Sequence, residues 1–231
     1  DDLIPYSFND ELIVFNNNEE IIYSMSLDGS NLTTLLDYSG LYPGGQGQEG
    51  KLVISPDGQK VLYSLDTFSN GNYYHYLYVV DIDGTNNTQV VETDDIFSYD
   101  FTPNGSQIVW LSYGFVSGEI SLMKINIDGS DLTQIVEVVN GGGFSISNNG
   151  DKIVFEKDNN LWIVDIDGNN LNQVTNYGYI DMKNCQFSKN DDKILYDRTG
   201  GVYIMNIDGS NHIQLSDYQG WTHLSTIQPI P

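Results

Sequence analysis

Apolar and polar positions alternate along this chain in short runs, and no run keeps one spacing over a helical length. Lys152-Ile153-Val154-Phe155 and Lys193-Ile194-Leu195-Tyr196 are representative: β-branched and aromatic residues bounded by Gly, Asn, Asp and Ser. Segments of about four to eight such residues, separated by turn residues, predict strands. Nowhere do apolar residues recur at i, i+3, i+4 and i+7 for long enough to predict a helix. The pattern predicts an all-β fold.

Five segments end alike, in an apolar strand that runs into Asp-Gly. They close on Leu27-Asp28-Gly29, Ile82-Asp83-Gly84, Ile127-Asp128-Gly129, Ile166-Asp167-Gly168 and Ile207-Asp208-Gly209. The glycines lie 55, 45, 39 and 41 residues apart. A second turn precedes four of these strands: Ser55-Pro56-Asp57-Gly58, Thr102-Pro103-Asn104-Gly105, Ser147-Asn148-Asn149-Gly150 and a degenerate Ser188-Lys189-Asn190-Asp191. Asp-Gly and Asn-Gly supply the positive φ of tight hairpin turns. Each repeat reads strand, turn, strand, loop, strand, Asp-Gly turn, strand.

A period near 40 with four strands per unit is that of propeller blades. Radial stacking lets units that cannot bury both faces alone do so together. The expected fold is a five-bladed β-propeller of four-stranded antiparallel blades, one domain over 1–231, with repeats at 1–40, 48–93, 94–138, 139–177 and 178–217. The longer first spacing is read as two loop insertions, Gly44 to Gly50 and Thr67 to His75.

These repeats resemble the TolB-like propeller repeats, in which a Ser-Pro-Asp-Gly turn, a strand and a further aromatic-containing strand lead to Asp-Gly. Leu27-Asp28-Gly29-Ser30-Asn31 is similar to the repeat endings of lipoprotein-receptor propellers. The resemblance spans nearly the whole chain and implies the propeller fold. For function it implies only a binding scaffold, since such families have varied partners. It also implies six or more blades, from which five repeats depart.

Closure of the ring is expected from the inner-strand column. Ile54, Phe101, Ile146 and Phe187 each stand just before a turn, and residues 222–231, with Leu224-Ser225-Thr226-Ile227, fit the same column. This C-terminal strand is expected to complete the N-terminal blade and cover its edge. Ile4-Pro5-Tyr6-Ser7 competes for that slot, and Pro5, which cannot donate a ladder bond, disfavours it. If the N-terminal segment wins, the C-terminal strand is left to pair with a neighbouring subunit.

Charge narrows the partners. The chain carries 32 acidic against 9 basic residues, net −23. That field repels nucleic-acid phosphate and anionic lipid, so nucleic acid is excluded as a partner. No apolar run reaches the ~20 residues of a membrane span. A chain beginning Asp1-Asp2-Leu3 is consistent with a cleaved signal peptide, and the acidic surface suits a secreted or periplasmic protein. The single Cys185 excludes an intrachain disulfide, and its place in Cys185-Gln186-Phe187 predicts a buried strand thiol rather than a nucleophile.

Candidate chemistry is sparse. Asp81/Asp83 and Asp165/Asp167, two apart on strands, share a face and are the candidates for Ca²⁺. The equivalent pairs elsewhere are Asn126/Asp128, Asn206/Asp208 and Ser26/Asp28, so a turn role for the second Asp is the expected one and no cofactor is expected. Inner-strand columns facing a central channel would present Asp100, Ser145, Gln186 and Asn184 to a small ligand. One carboxylate there, Asp100, falls short of the converging pair a glycosidase needs. His75, His212 and His223 have no metal-ligand spacing, and no nucleophile elbow or phosphate loop occurs.

Aromatic residues are the remaining signal. Tyr74, Tyr76, Tyr113, Tyr177 and Trp221 fall in or beside loops and are candidates for an interaction rim that anchors protein or stacks on sugar. The expected function is non-enzymatic: a protein-interaction or self-assembly module. Carbohydrate or small-ligand binding at the channel mouth is the alternative.

Overall fold

The computed structural model describes residues 6–16, 21–38, 48–49, 51–69, 71–93, 95–114, 119–138, 143–177, 184–198 and 200–216. Every regular element among them is a β-strand. The first sheet is the meander β1 (Tyr6–Phe8), β2 (Leu12–Asn16), β3 (Ile21–Ser26) and β4 (Thr33–Asp37). In the second, β5 (Gln48–Glu49) and β6 (Val53–Ile54) both pair with β7 (Lys60–Ser69), followed by β8 (Asn72–Asp81) and β9 (Thr88–Thr93). The third runs β10 (Asp95–Phe101), β11 (Gln107–Tyr113), β12 (Ile120–Asn126) and β13 (Thr133–Val138). The fourth is β14 (Phe144–Ile146), β15 (Lys152–Lys157), β16 (Asn160–Asp165) and β17 (Asn172–Gln173). The fifth is β18 (Cys185–Phe187), β19 (Lys193–Arg198), β20 (Gly201–Asn206) and β21 (Ile213–Gln214).

The chain divides into two compact units, Asp1–Ser112 with Lys124–Leu132, and Tyr113–Met123 with Thr133–Pro231. In the first unit, Val14, Ile22, Leu35 and Tyr38 of the first sheet and its flank meet Val61, Tyr63, Leu65 and Val80 of the second. The opposite face of the second sheet meets β10, where Tyr99 Oη accepts from the Ser64 amide at 3.0 Å and donates to the Lys51 carbonyl. In the second unit, Val154, Leu161, Ile163 and Val174 pack on Cys185, Phe187, Ile194, Tyr196, Tyr203 and Met205. Cys185 is buried, as its strand position predicts, and burial pushes its thiol above the ordinary range.

Two expectations are corrected. Thr67 to His75 is not a loop: β7 and β8 pair through ten rungs, from Lys60↔Asp81 to Ser69↔Asn72. Asn70-Gly71 is the two-residue turn signal that sets this register, and Gly71 has φ +84°. Gln48–Glu49, read as part of a Gly-rich loop, adds backbone pairs to β7 opposite Asp66 and Leu65. In the first sheet Tyr6–Phe8 pairs with Phe15, Val14 and Ile13 of β2, the place for which Ile4-Pro5-Tyr6-Ser7 competed. Proline loses its argument because the ladder uses Tyr6, Ser7 and Phe8. The C-terminal segment itself lies outside the described residues.

Candidate functional site

The Asp-Gly turns come first, because they set the outer corner of each sheet. In the first, the Gly29 amide donates to the Ser26 carbonyl, and Asp28 Oδ1 accepts from the Ser30 amide (2.9 Å) and hydroxyl (2.6 Å). Asp83 with Thr85, Asp128 with Ser130 and Asp208 with Ser210 repeat this arrangement. The hydroxyl bond, then the amide bond, holds each of these carboxyls below its ordinary pKa. Asp81 accepts from Asn86 Nδ2 (2.7 Å) and Lys60, and Asp165 from Asn170 Nδ2 (2.6 Å) and Lys152 Nζ (2.5 Å). Asp167 accepts from the Asn169 amide and side chain. The four Ca²⁺ candidates thus work as turn and strand links. Among the described residues no group of three or more His, Cys, Asp or Glu is placed to hold a metal.

Each turn glycine also meets the sheet before it. A Cβ on Gly84 would lie 2.3 Å from the Leu35 carbonyl oxygen, on Gly129 3.1 Å from Val90 O, on Gly168 2.8 Å from Ile135 O, and on Gly209 2.3 Å from Val174 O. The carbonyl always belongs to the residue six past the preceding turn glycine. Gly29 meets nothing within 4 Å. The side chains around it follow suit. Phe101 and Phe187 are buried in this inner-strand column, whereas Phe8 is 47% exposed; Tyr99 and Cys185 are buried, whereas Tyr6 is 59% exposed. Val80, Ile125, Val164 and Met205 are buried, whereas Met25 is half-buried. Leu27 is exposed, though Ile82, Ile127, Ile166 and Ile207 are not.

The fifth sheet shows the complementary pattern on its opposite face. Leu35, Val90, Ile135 and Val174, six past their glycines, are buried; Leu215, six past Gly209, is 55% exposed. Ile22, Leu77, Leu122 and Leu161 are buried, whereas Val202 is half-buried. The first sheet bares the face that other sheets turn toward their predecessor. The fifth bares the face that others turn toward their successor.

The other candidates are spread out. Tyr74 and Tyr76 stack (6.5 Å), Tyr76 meets Tyr78 (6.2 Å), and Tyr78 stacks on Tyr63 (5.4 Å), a half-exposed row on one face of the second sheet that ends on a buried ring. On the other face Phe68 and Tyr73 pair at the exposed hairpin tip (4.7 Å), and His75 Nδ1 lies 2.8 Å from Asp66 and 3.9 Å from Asp95. Burial raises the Asp66 carboxyl, although the His75 bond opposes the rise. Tyr113 is half-buried at the end of β11, and Trp221 lies outside the described residues.

Of the inner-strand candidates, Asp100 belongs to the first unit and Ser145, Asn184 and Gln186 to the second. The Asp100 side chain is half-exposed, 3.8 Å from Lys51, yet desolvation raises its pKa more than Lys51 lowers it. Asn184 is engaged elsewhere, its amide and Nδ2 donating to Asp197 at 2.8 and 3.0 Å. Ser145 and Gln186 are half-buried on the neighbouring strands β14 and β18.

Tyr177 belongs to a cluster absent from the sequence reading. Arg198 Cζ lies 4.3 Å from its ring centroid and 4.1 Å from that of Tyr203. Tyr177 Oη, Tyr196 Oη and His212 Nδ1 lie 2.6 to 2.9 Å apart. The missed signal is Gly200-Gly201, whose second glycine pairs opposite Arg198 and begins the strand that carries Tyr203.

With this geometry in place, the fold is identified by its solved neighbours. The sequence matches no family profile and no curated protein. The structure is similar to TolB from Agrobacterium tumefaciens at TM-score 0.65 and 18% identity, over 94% of this chain and 81% of that one. It is similar to the nidogen/laminin complex at 0.64 and 11%, over 91% and 77%. Oligogalacturonate lyase in complex with manganese aligns at 0.72 and 11%, over 94% and 65%. These likenesses establish a β-propeller fold similar to that of TolB. The neighbours include both binding proteins and enzymes, so the fold does not choose between them. No helix among the described residues is long and apolar enough to cross a membrane.

Proposed function

We propose that this chain is a non-enzymatic, extracytoplasmic protein-binding propeller, and that the bare face of its first sheet is the docking surface for a second copy. The carrying observation is the pair of matched bare faces: Gly29 with Tyr6, Phe8, Met25 and Leu27 on one, and Leu215 with Val202 on the other. Four junctions within the chain show how such faces fit, glycine against the carbonyl six past the preceding glycine. A head-to-tail contact of this kind is heterologous and builds rings or chains of subunits. The named residues of both faces carry no charge, so salt that screens the −23 net charge strengthens the assembly.

Light scattering tests this on the intact chain and on Phe8→Asp and Leu215→Asp. The expected result is an oligomer whose mass rises with salt, and folded single chains for both variants. A single-chain mass for the intact protein overturns the reading, whether the variants lose stability, which places the cover within the chain, or keep it, which leaves the faces bare. A second reading, carbohydrate binding, is favoured by the row Tyr74, Tyr76 and Tyr78, since tyrosine faces stack on sugars. Glycan binding lost in Tyr76→Ala, with stability kept, would support it.

A further inference from the structure

The chain holds one arginine among 32 acidic residues, and none of the ion pairs among the described residues includes it. Arg198 closes the β19–β20 hairpin opposite Gly201, so no side chain stands across from it. Its neighbour Asp197 points to the other face of the strand, where Asn184 holds it. The guanidinium lies over the rings of both Tyr177 and Tyr203, and its Nε is buried with no acceptor. Tyr196, beside it, is no counter-ion: burial, then the bond to Tyr177, pushes its phenol far above the ordinary range, so it stays neutral.

A planar guanidinium held against two rings carries its outer N–H groups in one plane, as parallel donors. The acceptor that matches such a fork with two oxygens is a carboxylate. We propose that Arg198, clasped by Tyr177 and Tyr203, binds the carboxylate of a small acidic ligand. The stacked rings fix the side chain in advance, which removes much of the ordering cost of binding. The net negative charge opposes an anion at long range, but salt screens that field beyond about 8 Å at physiological ionic strength. Contact with the guanidinium is short-ranged and survives that screening.

The test uses the full chain and three probes, followed by heteronuclear NMR of the Arg198 Nε–H: D-galacturonate, D-galactose, which replaces the carboxylate by a hydroxymethyl group, and N-acetyl-L-aspartate. Both carboxylates are expected to shift the Arg198 signal saturably, and galactose is expected to leave it in place. The tighter carboxylate identifies the source, sugar acid or peptide side chain. Arg198→Lys is expected to weaken binding roughly tenfold and Arg198→Gln to remove it. The proposal is overturned if galactose binds as well as galacturonate, if no carboxylate binds, or if Arg198→Gln binds unchanged. The wild-type comparison stands even if a variant fails to fold.

Discussion

Val164 in the fourth sheet and Met25 in the first occupy the same column, four residues before the turn glycine, and meet different fates. Val164 is fully buried, with Ile153 beside it on the ladder; Met25 and its ladder partner Ile13 are half-exposed. The turns that follow are built alike, from Asp, Gly and the same backbone bonds. Local chemistry is therefore equal in the two sheets, and the difference comes from what lies against them. Both faces of an inner propeller sheet pack on neighbours, so a sheet with one side exposed departs from the repeat.

The largest effect that sharpens this contrast comes from the inner strands. Phe101→Ala is expected to lower unfolding free energy in guanidinium by about 3–5 kcal/mol, the cost of a core aromatic cavity. Phe8→Ala at the equivalent place is expected to cost less than about 1 kcal/mol in the dilute single chain. Equal losses would break the comparison, because they would mean that Phe8 is covered.

The turn glycines follow. Gly84→Ala adds a methyl 2.3 Å from the Leu35 carbonyl at φ +83°, and is expected to destabilise by about 3 kcal/mol or more. Gly29→Ala has the same left-handed backbone, φ +82°, but open space, so about 1–2 kcal/mol of conformational cost is expected. Thermal melts of the two variants check the difference.

The smallest effect is in pH. Asp28, Asp83, Asp128 and Asp208 have folded-state pKa values below their ordinary 3.8. Their contribution is therefore complete above that value and is lost as pH falls through the folded-state values. Asp66 shifts the other way, so its ionisation weakens the fold as pH rises through its raised pKa. Denaturation series from pH 6 to pH 2.5 should lose their acid slope in part in Asp128→Asn. In Asp66→Asn they should lose a slope of opposite sign.

Much of this was legible in the residues. The strand columns, the two turn types, the period and the buried Cys185 all follow from alternation and from Gly, Asp and Asn at fixed offsets. The long hairpin was legible too, since Asn70-Gly71 dictates that Asp66 faces His75, but its polar tip reads as loop. Arg198 carries no sequence signal of this kind, and nothing in its spacing says that Tyr177, 21 residues earlier, lies over it.

What the sequence determined alone was whatever one turn or one strand can express: φ sign, face alternation and pairing register within a hairpin. Each depends on atoms a few residues apart. Tertiary structure decided which N-terminal residues form the first inner strand, which faces stay uncovered, and that three tyrosines and a histidine gather around one cation. Those outcomes depend on which sheet stands beside which, and a repeated sequence gives every sheet the same instructions. Among the described residues the first and fifth sheets differ from the rest in which of their side chains stay exposed.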